Sequence, residues 1–336
     1  MRVAWRRSAS TCAGVIGLLW LTSIANFGGP SVTGRIGSVT VWGVILPVGF
    51  IALFGWFWFK GSTFAEAWNP NGLSIVHGMG SSISLTLWAF LGFESASQNA
   101  SAVENPKRDV PIACLLGTLG AAVIYVLSTT AIQGIVPNAD LQASTGSFAT
   151  AFTQMFNPTV GSIVMGLAVM ACVGSLFGWQ FTLASVAKDA ADSGMFPRIF
   201  AKVTANGAPI AGMIIMGVVQ TMLALMTISP DLSSQFSALV NLSVVTNVIP
   251  YILALSALTV ILQSAGVAGG AYTRTIAISV VGIAYSVYAL YASGVEAVMG
   301  GMLVMGLGWL IWLFVAPRFL EARRATAQAA AVAKVA

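Results

Sequence analysis

A carboxylate inside an apolar stretch is the feature of this sequence with the clearest chemical meaning. In the run TLWAFLGFESAS (86–97), Glu94 follows Trp88 by six residues and Gly92 by two. A charged side chain in the hydrocarbon of a bilayer costs about 2.5–3.5 kcal/mol on insertion scales, so such an acid indicates a functional site. Because an indole face attracts ammonium groups, Trp88 and Glu94 are candidate ligands for an organic cation.

The glycine between these two residues is a candidate helix break. On a continuous helix, Trp88 and Glu94 would lie about 240° apart, on different faces. A break at Gly92 would let both side chains line one cavity, as unwound segments do at the substrate sites of secondary transporters. The alternative is an ordinary helix in which Glu94 hydrogen-bonds a neighbouring Ser or Asn.

A second indole occurs in GSLFGWQFTLA (174–184), where Trp179 follows two glycines spaced four residues apart. Gly174 and Gly178 form a small-xxx-small pattern, which predicts close helix packing beside Trp179. Taken alone, either tryptophan is more often a core or lipid-facing residue. With an intramembrane acid in the same chain, Trp88, Trp179 and Glu94 together suggest a site for an organic cation.

The composition assigns these residues to membrane helices. The chain has 336 residues, of which 57% are hydrophobic and only 7% charged, against about 25% charged in soluble domains. We therefore predict an all-α polytopic membrane protein. The apolar runs predict about nine transmembrane helices, at 11–27, 38–59, 80–102, 111–136, 160–186, 209–228, 235–263, 273–293 and 297–316.

Several classes of function are disfavoured by the same residues. The net charge of +5 does not indicate nucleic-acid binding, because the basic residues lie at the ends of the predicted spans. One histidine, His77, and three scattered cysteines match no metal-ligand or disulfide pattern, and no nucleophile elbow surrounds any serine. We expect no metal, no cofactor, no catalytic residue and no enzymatic activity. A passive channel stays open on composition alone.

The loop charges predict the orientation of the chain. Lys and Arg cluster in alternate loops, which the positive-inside rule places in the cytoplasm together with the C-terminus. An odd number of spans then puts the N-terminus outside, with Arg2, Arg6 and Arg7 on the unexpected side. Either the first segment does not span in the expected sense, or Met1 is not the natural beginning of the fold, and we favour the second interpretation.

Five segments together resemble a known family. They are WAFLGFESAS (88–97), VENPKRDVPIA (103–113), AAVIYVLSTTAIQGIVPNADL (121–141), GSLFGWQFTLA (174–184) and LVNLSVVTNVIPYIL (239–253). They are similar to the basic amino acid/polyamine antiporters of the amino acid–polyamine–organocation (APC) superfamily, and most similar to members that exchange putrescine for ornithine. The resemblance extends from about residue 14 to residue 320.

The resemblance implies a LeuT-like fold of twelve spans built on an inverted repeat. Residues 1–320 would form a single transmembrane transporter domain equivalent to spans 4–12, and 321–336 a short cytoplasmic tail. The chain would thus be N-terminally truncated. The first family helix, the broken partner of the span around Glu94, would be missing, so that this chain carries half of the site.

The resemblance also implies roles for individual residues. Substrate binding would fall to Trp88, Glu94, Trp179, Ser243 and Trp309, with Gly92 at the helix break. Lys188 would act in gating and cytoplasmic recognition. Met195 and Trp312 stand where the putrescine–ornithine pattern has tyrosines, which affects the expected selectivity between diamines and amino acids.

The implied function is exchange of putrescine for ornithine by alternating access, across the inner membrane of a bacterium. Expected partners are a diamine, a basic amino acid, protons and the lipid bilayer, and a homodimer is left open. Besides the channel, three alternatives remain: an arginine/agmatine antiporter, a lysine/cadaverine antiporter, and a truncated copy that does not transport or that needs the missing helices from another subunit.

Overall fold

The computed structural model describes residues 2–92, 104–226 and 232–335, and throughout these ranges the regular structure is helical. This follows from the composition, because backbone groups in lipid must find their hydrogen bonds within the segment itself. The helices are α1 (Arg2–Asn26), α2 (Pro30–Thr40), α3 (Trp42–Phe54), α4 (Gly61–Trp68), α5 (Ile75–Ala89), α6 (Pro106–Ile135), α7 (Asn138–Ala143), α8 (Ser147–Met155), α9 (Pro158–Asp192), α10 (Ile210–Met226), α11 (Leu232–Ser264), α12 (Gly269–Ala292) and α13 (Val295–Val335).

Several helix ends are specified by local sequence. Pro30, Pro106 and Pro158 open α2, α6 and α9, where a residue without an N–H and with a fixed φ is favoured. The Asn157 side chain caps α9 by accepting a hydrogen bond from the backbone N–H of Val160 at 3.0 Å. These signals set where the long apolar helices begin.

The apolar helices account for most of the predicted spans. Among the described residues, six segments are long and apolar enough to cross a membrane: Pro30–Trp58, Pro106–Ile135, Pro158–Asp192, Phe236–Ser264, Gly269–Ala292 and Val295–Pro317. Two shorter apolar helices occupy Cys12–Asn26 and Ile210–Leu225. The polytopic all-α class is confirmed. The number nine stays a prediction, because the third predicted span runs into residues 93–103, outside the described part.

The chain divides into two compact units. The first contains the described residues within Met1–Gly72, Ser95–Thr227 and Val315–Ala336. In it α9 contacts α1, α2, α3, α8 and α10, and an apolar cluster around Ile51, Val136 and Phe152 joins α3 and α8 to the end of α6. The long helix α9 is therefore the element against which these five helices of the unit pack.

The second unit contains the described residues within Leu73–Glu94 and Ile228–Phe314. Here α5 packs against α11 and α12. Val240, Val244 and Val248, spaced four residues apart on α11, form an apolar seam that Leu87 of α5 and Leu290 of α12 contact. The Ser84 and Ser293 hydroxyls also meet at 3.1 Å, and both residues are buried. The prediction of one domain over 1–320 is not tested by this division and stays a prediction.

Candidate functional site

Trp88 lies in the last turn of α5, beside the apolar seam of the second unit. Its ring meets Phe236 of α11 edge to face, with centroids 5.4 Å apart and planes at 86°. Leu87, the preceding residue, packs on the α11 valines, and the Trp88 side chain is left 41% exposed. The indole thus contacts Phe236 while part of its surface stays accessible, which suits a ring that receives a ligand.

The helix that carries Trp88 ends one residue later. The N–H of Phe90 bonds to the carbonyl of Leu87 at 3.0 Å, and that of Leu91 bonds to the carbonyl of Trp88 at 3.1 Å. Gly92 then has φ +107°, a conformation that side chains with a Cβ rarely adopt. Glu94 and the rest of 93–103 lie outside the described residues, so the role of Gly92 in a substrate-binding break stays a prediction.

Replacing Gly92 by alanine is expected to lower the free energy of unfolding by about 1–3 kcal/mol, because a Cβ is strained at positive φ. It should also reduce substrate exchange, since the segment leading to Glu94 would be redirected. Thermal unfolding of the purified protein and uptake into vesicles measure the two effects. Gly78→Ala is the control, since Gly78 lies within α5, the helix that precedes Gly92, and a Cβ there meets open space. Equal stability and uptake in the two variants would contradict the expectation.

Ser243 lies on α11 next to the buried seam, and it is half-buried. Its carbonyl oxygen accepts hydrogen bonds from the Thr246 hydroxyl at 3.0 Å and the Asn247 amide at 2.9 Å. Pro250, one turn further on, has no N–H to offer the carbonyl of Thr246. This part of α11 is therefore a polar segment of an apolar helix. Thr246 and Asn247 were not singled out from the sequence, although both lie in LVNLSVVTNVIPYIL.

Trp309 is on α13, and its side chain is 59% exposed. Trp88 and Ser243 are on α5 and α11, which pack together, whereas Trp309 is on a different helix of the same unit. Trp312, one turn further along α13, is also exposed. The role that the family resemblance implies for Trp309 stays a prediction.

Trp179 belongs to the first unit, where it projects from α9 with 46% of its side chain exposed. The two glycines before it differ in their surroundings. A Cβ at Gly174 would collide with the Thr40 side chain of α2, whereas a Cβ at Gly178 would meet open space. The close packing expected from the glycine pair therefore occurs at Gly174 alone, and the surface beside Trp179 is open.

Lys188 lies near the C-terminal end of α9 and is held by two acids of the same helix. Its Nζ is 2.6 Å from Asp192 Oδ2 and 3.4 Å from Asp189 Oδ1. The Asp192 contact has the i,i+4 spacing that brings side chains together on one helix face. The ammonium of Lys188 is thus engaged within the helix, and its predicted part in cytoplasmic recognition stays a prediction.

A cavity of about 680 Å³ lies within the second unit, away from the residues singled out above. Its polar members are His77, Tyr288 and Tyr291, and the Tyr288 hydroxyl donates to the Val76 carbonyl at 3.3 Å. The described residues that line it include no acid. The full lining is Val76, His77, Gly80, Tyr288, Leu290, Tyr291, Ala292, Gly294, Val295, Val298 and Met299.

Comparison with known proteins identifies the family. Residues 4–316 match the model of the family described as "Amino acid permease". The chain is 53% identical over 301 residues to "Putrescine transporter PotE" of Haemophilus influenzae, and 54% identical over 304 residues to that of Escherichia coli. Each alignment covers 90% of this chain and 69% of the relative.

A more distant relative is the "Cadaverine/lysine antiporter" of Escherichia coli, 31% identical over 241 residues, which are 70% of this chain and 54% of that protein. These matches confirm the resemblance drawn from the sequence motifs. Together with the apolar helices, they identify a multi-pass membrane transporter. The chain belongs to the amino acid permease family, within the APC superfamily.

Proposed function

We propose that this protein is a secondary active antiporter that exchanges putrescine for ornithine across the inner membrane of a bacterium. The observation that carries the proposal is the identity of 53–54% over 90% of the chain to two putrescine transporters. The exposed indoles of Trp88 and Trp179 support it, because each offers an aromatic face to an ammonium group.

Recognition would use the two ends of the substrate separately. Putrescine has an ammonium at each end of a short apolar chain, and the residues we propose for its recognition are two tryptophans and the carboxylate of Glu94. We assign the charge pair to Glu94 and the aromatic contacts to Trp88 and Trp179. Ser243 and Trp309 are proposed to complete the lining, and Lys188 to act at the cytoplasmic end.

The exchange would proceed by alternating access. The transporter would interconvert between a state open to the outside and a state open to the cytoplasm. A substrate shifts this equilibrium only by the difference between its affinities for the two states. At neutral pH, putrescine carries one positive charge more than ornithine. A one-for-one exchange therefore moves net charge across the membrane unless a proton accompanies the amino acid, and Glu94 is the residue we propose for carrying it.

Uptake of labelled putrescine into vesicles that contain the protein tests the substrate pair. We expect saturable uptake into vesicles preloaded with ornithine, and much slower uptake into empty ones. Two further experiments test the alternative pairs: cadaverine offered to vesicles preloaded with lysine, and agmatine offered to vesicles preloaded with arginine. Of these two pairs, cadaverine and lysine are supported by the 31% identical cadaverine/lysine antiporter. Faster exchange with either of those pairs than with putrescine and ornithine would contradict the proposed substrates.

The remaining alternative is a copy that does not transport. The aligned relatives are longer, since the alignments cover 69% of each putrescine transporter. The DNA upstream of Met1 should therefore be read for an in-frame continuation with further apolar spans. Exchange by the 336-residue chain would exclude this alternative, whereas exchange only with an upstream continuation would favour it.

A further inference from the structure

Four polar side chains are buried together in the first unit, between α1, the start of α2 and the middle of α9. They are Thr22 and Asn26 of α1, Thr33 of α2 and Gln180 of α9, and the side chain of Asn26 is completely buried. Buried polar groups are costly unless they are hydrogen-bonded. The hydrogen-bond partners of these side chains therefore show which helices the cluster connects.

Gln180 joins α9 to α1 through both ends of its amide. Its Nε2 donates to the carbonyl of Leu19 at 3.0 Å, and its Oε1 accepts from the Thr22 hydroxyl at 2.7 Å. The amide thus has one donor bond and one acceptor bond across the same helix pair. These two hydrogen bonds define the orientation of the amide and fix the position of α9 along α1.

Asn26, one turn after Thr22 on α1, makes a second connection between α1 and α9. Its Nδ2 donates to the carbonyl of Phe177 at 2.8 Å, and its Oδ1 accepts from the Thr33 hydroxyl at 2.7 Å. The first bond joins α1 to α9, and the second joins the start of α2 to the same point. Two directional anchors, Phe177 and Gln180, therefore lie three residues apart on the buried face of α9.

Trp179 lies between these anchors but points elsewhere. It is displaced from Gln180 by about 100° around the helix axis, and it is 46% exposed, whereas Phe177 and Gln180 are buried. In an apolar environment, apolar faces give a helix little preference for one rotation over another. A rotation by one residue position would break the hydrogen bonds of both anchors, so these bonds resist it together with the close packing of Gly174 on Thr40.

We propose that this cluster of Thr22, Asn26, Thr33 and Gln180 fixes the rotation of α9 and thereby presents the Trp179 indole to the substrate. Gln180 is then a positioning residue that acts on diamine affinity through Trp179. The inference rests on the proposed function, because it takes Trp179 as a substrate contact. In this proposal, buried residues that cannot touch the substrate influence its affinity.

A double-mutant cycle between Gln180→Leu and Trp179→Leu tests the proposal. Leucine has nearly the volume of glutamine but makes neither hydrogen bond. We expect Gln180→Leu to raise the apparent KM for putrescine by about two- to tenfold, and by no more than Trp179→Leu raises it, with the maximal rate per folded transporter changed by no more than about twofold. The double variant should have the KM of Trp179→Leu alone, because the two changes act on one contact.

Thr221→Val is the matched control. Thr221 accepts a hydrogen bond from the Trp20 indole at 3.0 Å, which joins α1 to α10 rather than to α9. Its loss should leave the KM unchanged. Should Gln180→Leu fail to fold, Thr22→Val removes only the hydroxyl that donates to Gln180, and we expect a smaller rise in KM from it.

The outcomes separate this inference from the proposed function. A wild-type KM in Gln180→Leu, or KM increases that multiply in the double variant, would overturn the positioning role while leaving Trp179 as a substrate contact. A wild-type KM in Trp179→Leu would overturn that contact, and the positioning role with it.

Discussion

Glutamine in place of Glu94 is expected to reduce putrescine exchange by about 10- to 150-fold, which corresponds to the loss of one charged hydrogen bond of about 1.5–3 kcal/mol. Without the carboxylate, an ammonium that leaves water for the site has no counter-charge, and burying an unpaired charge is strongly unfavourable. Residue 94 lies outside the described part of the structure, so this expectation rests on its place in the sequence.

The experiment compares initial rates of putrescine uptake at equal amounts of protein in the vesicle membrane. Glu66→Gln is the control, since Glu66 is an exposed acid of α4 and its loss changes the net charge equally. Glu94→Asp keeps the charge on a shorter side chain and should retain part of the activity. Full exchange by Glu94→Gln would remove Glu94 from the proposed site.

The second large effect is expected from Trp179. A cation over an indole gains about 0.5–2 kcal/mol, depending on how far the pair is removed from water. Trp179→Leu should therefore raise the apparent KM for putrescine by about 2- to 30-fold. Trp179→Phe keeps a weaker aromatic face and should have a KM between those of the leucine variant and the wild type.

The matched control for this prediction is Trp68→Leu. Trp68 is an exposed tryptophan of α4, and it contacts the ring of Phe64 with centroids 5.6 Å apart. Its replacement removes an exposed indole of the same unit without touching α9. The same KM in Trp179→Leu and the wild type, or equal KM increases in Trp179→Leu and Trp68→Leu, would contradict a specific cation contact.

The sequence predicted the class of fold well because apolar run length and helix-opening prolines are local signals. The sequence predicted helix boundaries less well where polar residues are part of a helix. The second span was predicted to begin at residue 38, but the apolar segment begins at Pro30. The intervening residues include Ser31, Gly34 and Arg35, which lower the hydropathy. Contacts with other helices hold this part of α2: the Thr33 hydroxyl donates to Asn26 of α1, and Thr40 packs on Gly174 of α9.

The candidate site residues could be predicted where the signal is local in the sequence. Glu94 and the two tryptophans could be singled out because their side chains are unusual in an apolar run. The ion pair of Lys188 with Asp192 could have been predicted too, from i,i+4 spacing on one helix. Gln180 could not be interpreted in this way, since its partners lie more than 150 residues away along the chain. No local pattern indicates which distant carbonyl or hydroxyl a buried amide will meet.

Coupled exchange is the central claim, and the most direct measurement follows both substrates at once. Vesicles that contain the protein are loaded with ornithine carrying one label, and putrescine carrying a second label is added outside. We predict that ornithine leaves only when putrescine is present outside, with one ornithine released for each putrescine taken up. Ornithine release without external putrescine, or equal putrescine uptake into empty and loaded vesicles, would contradict antiport.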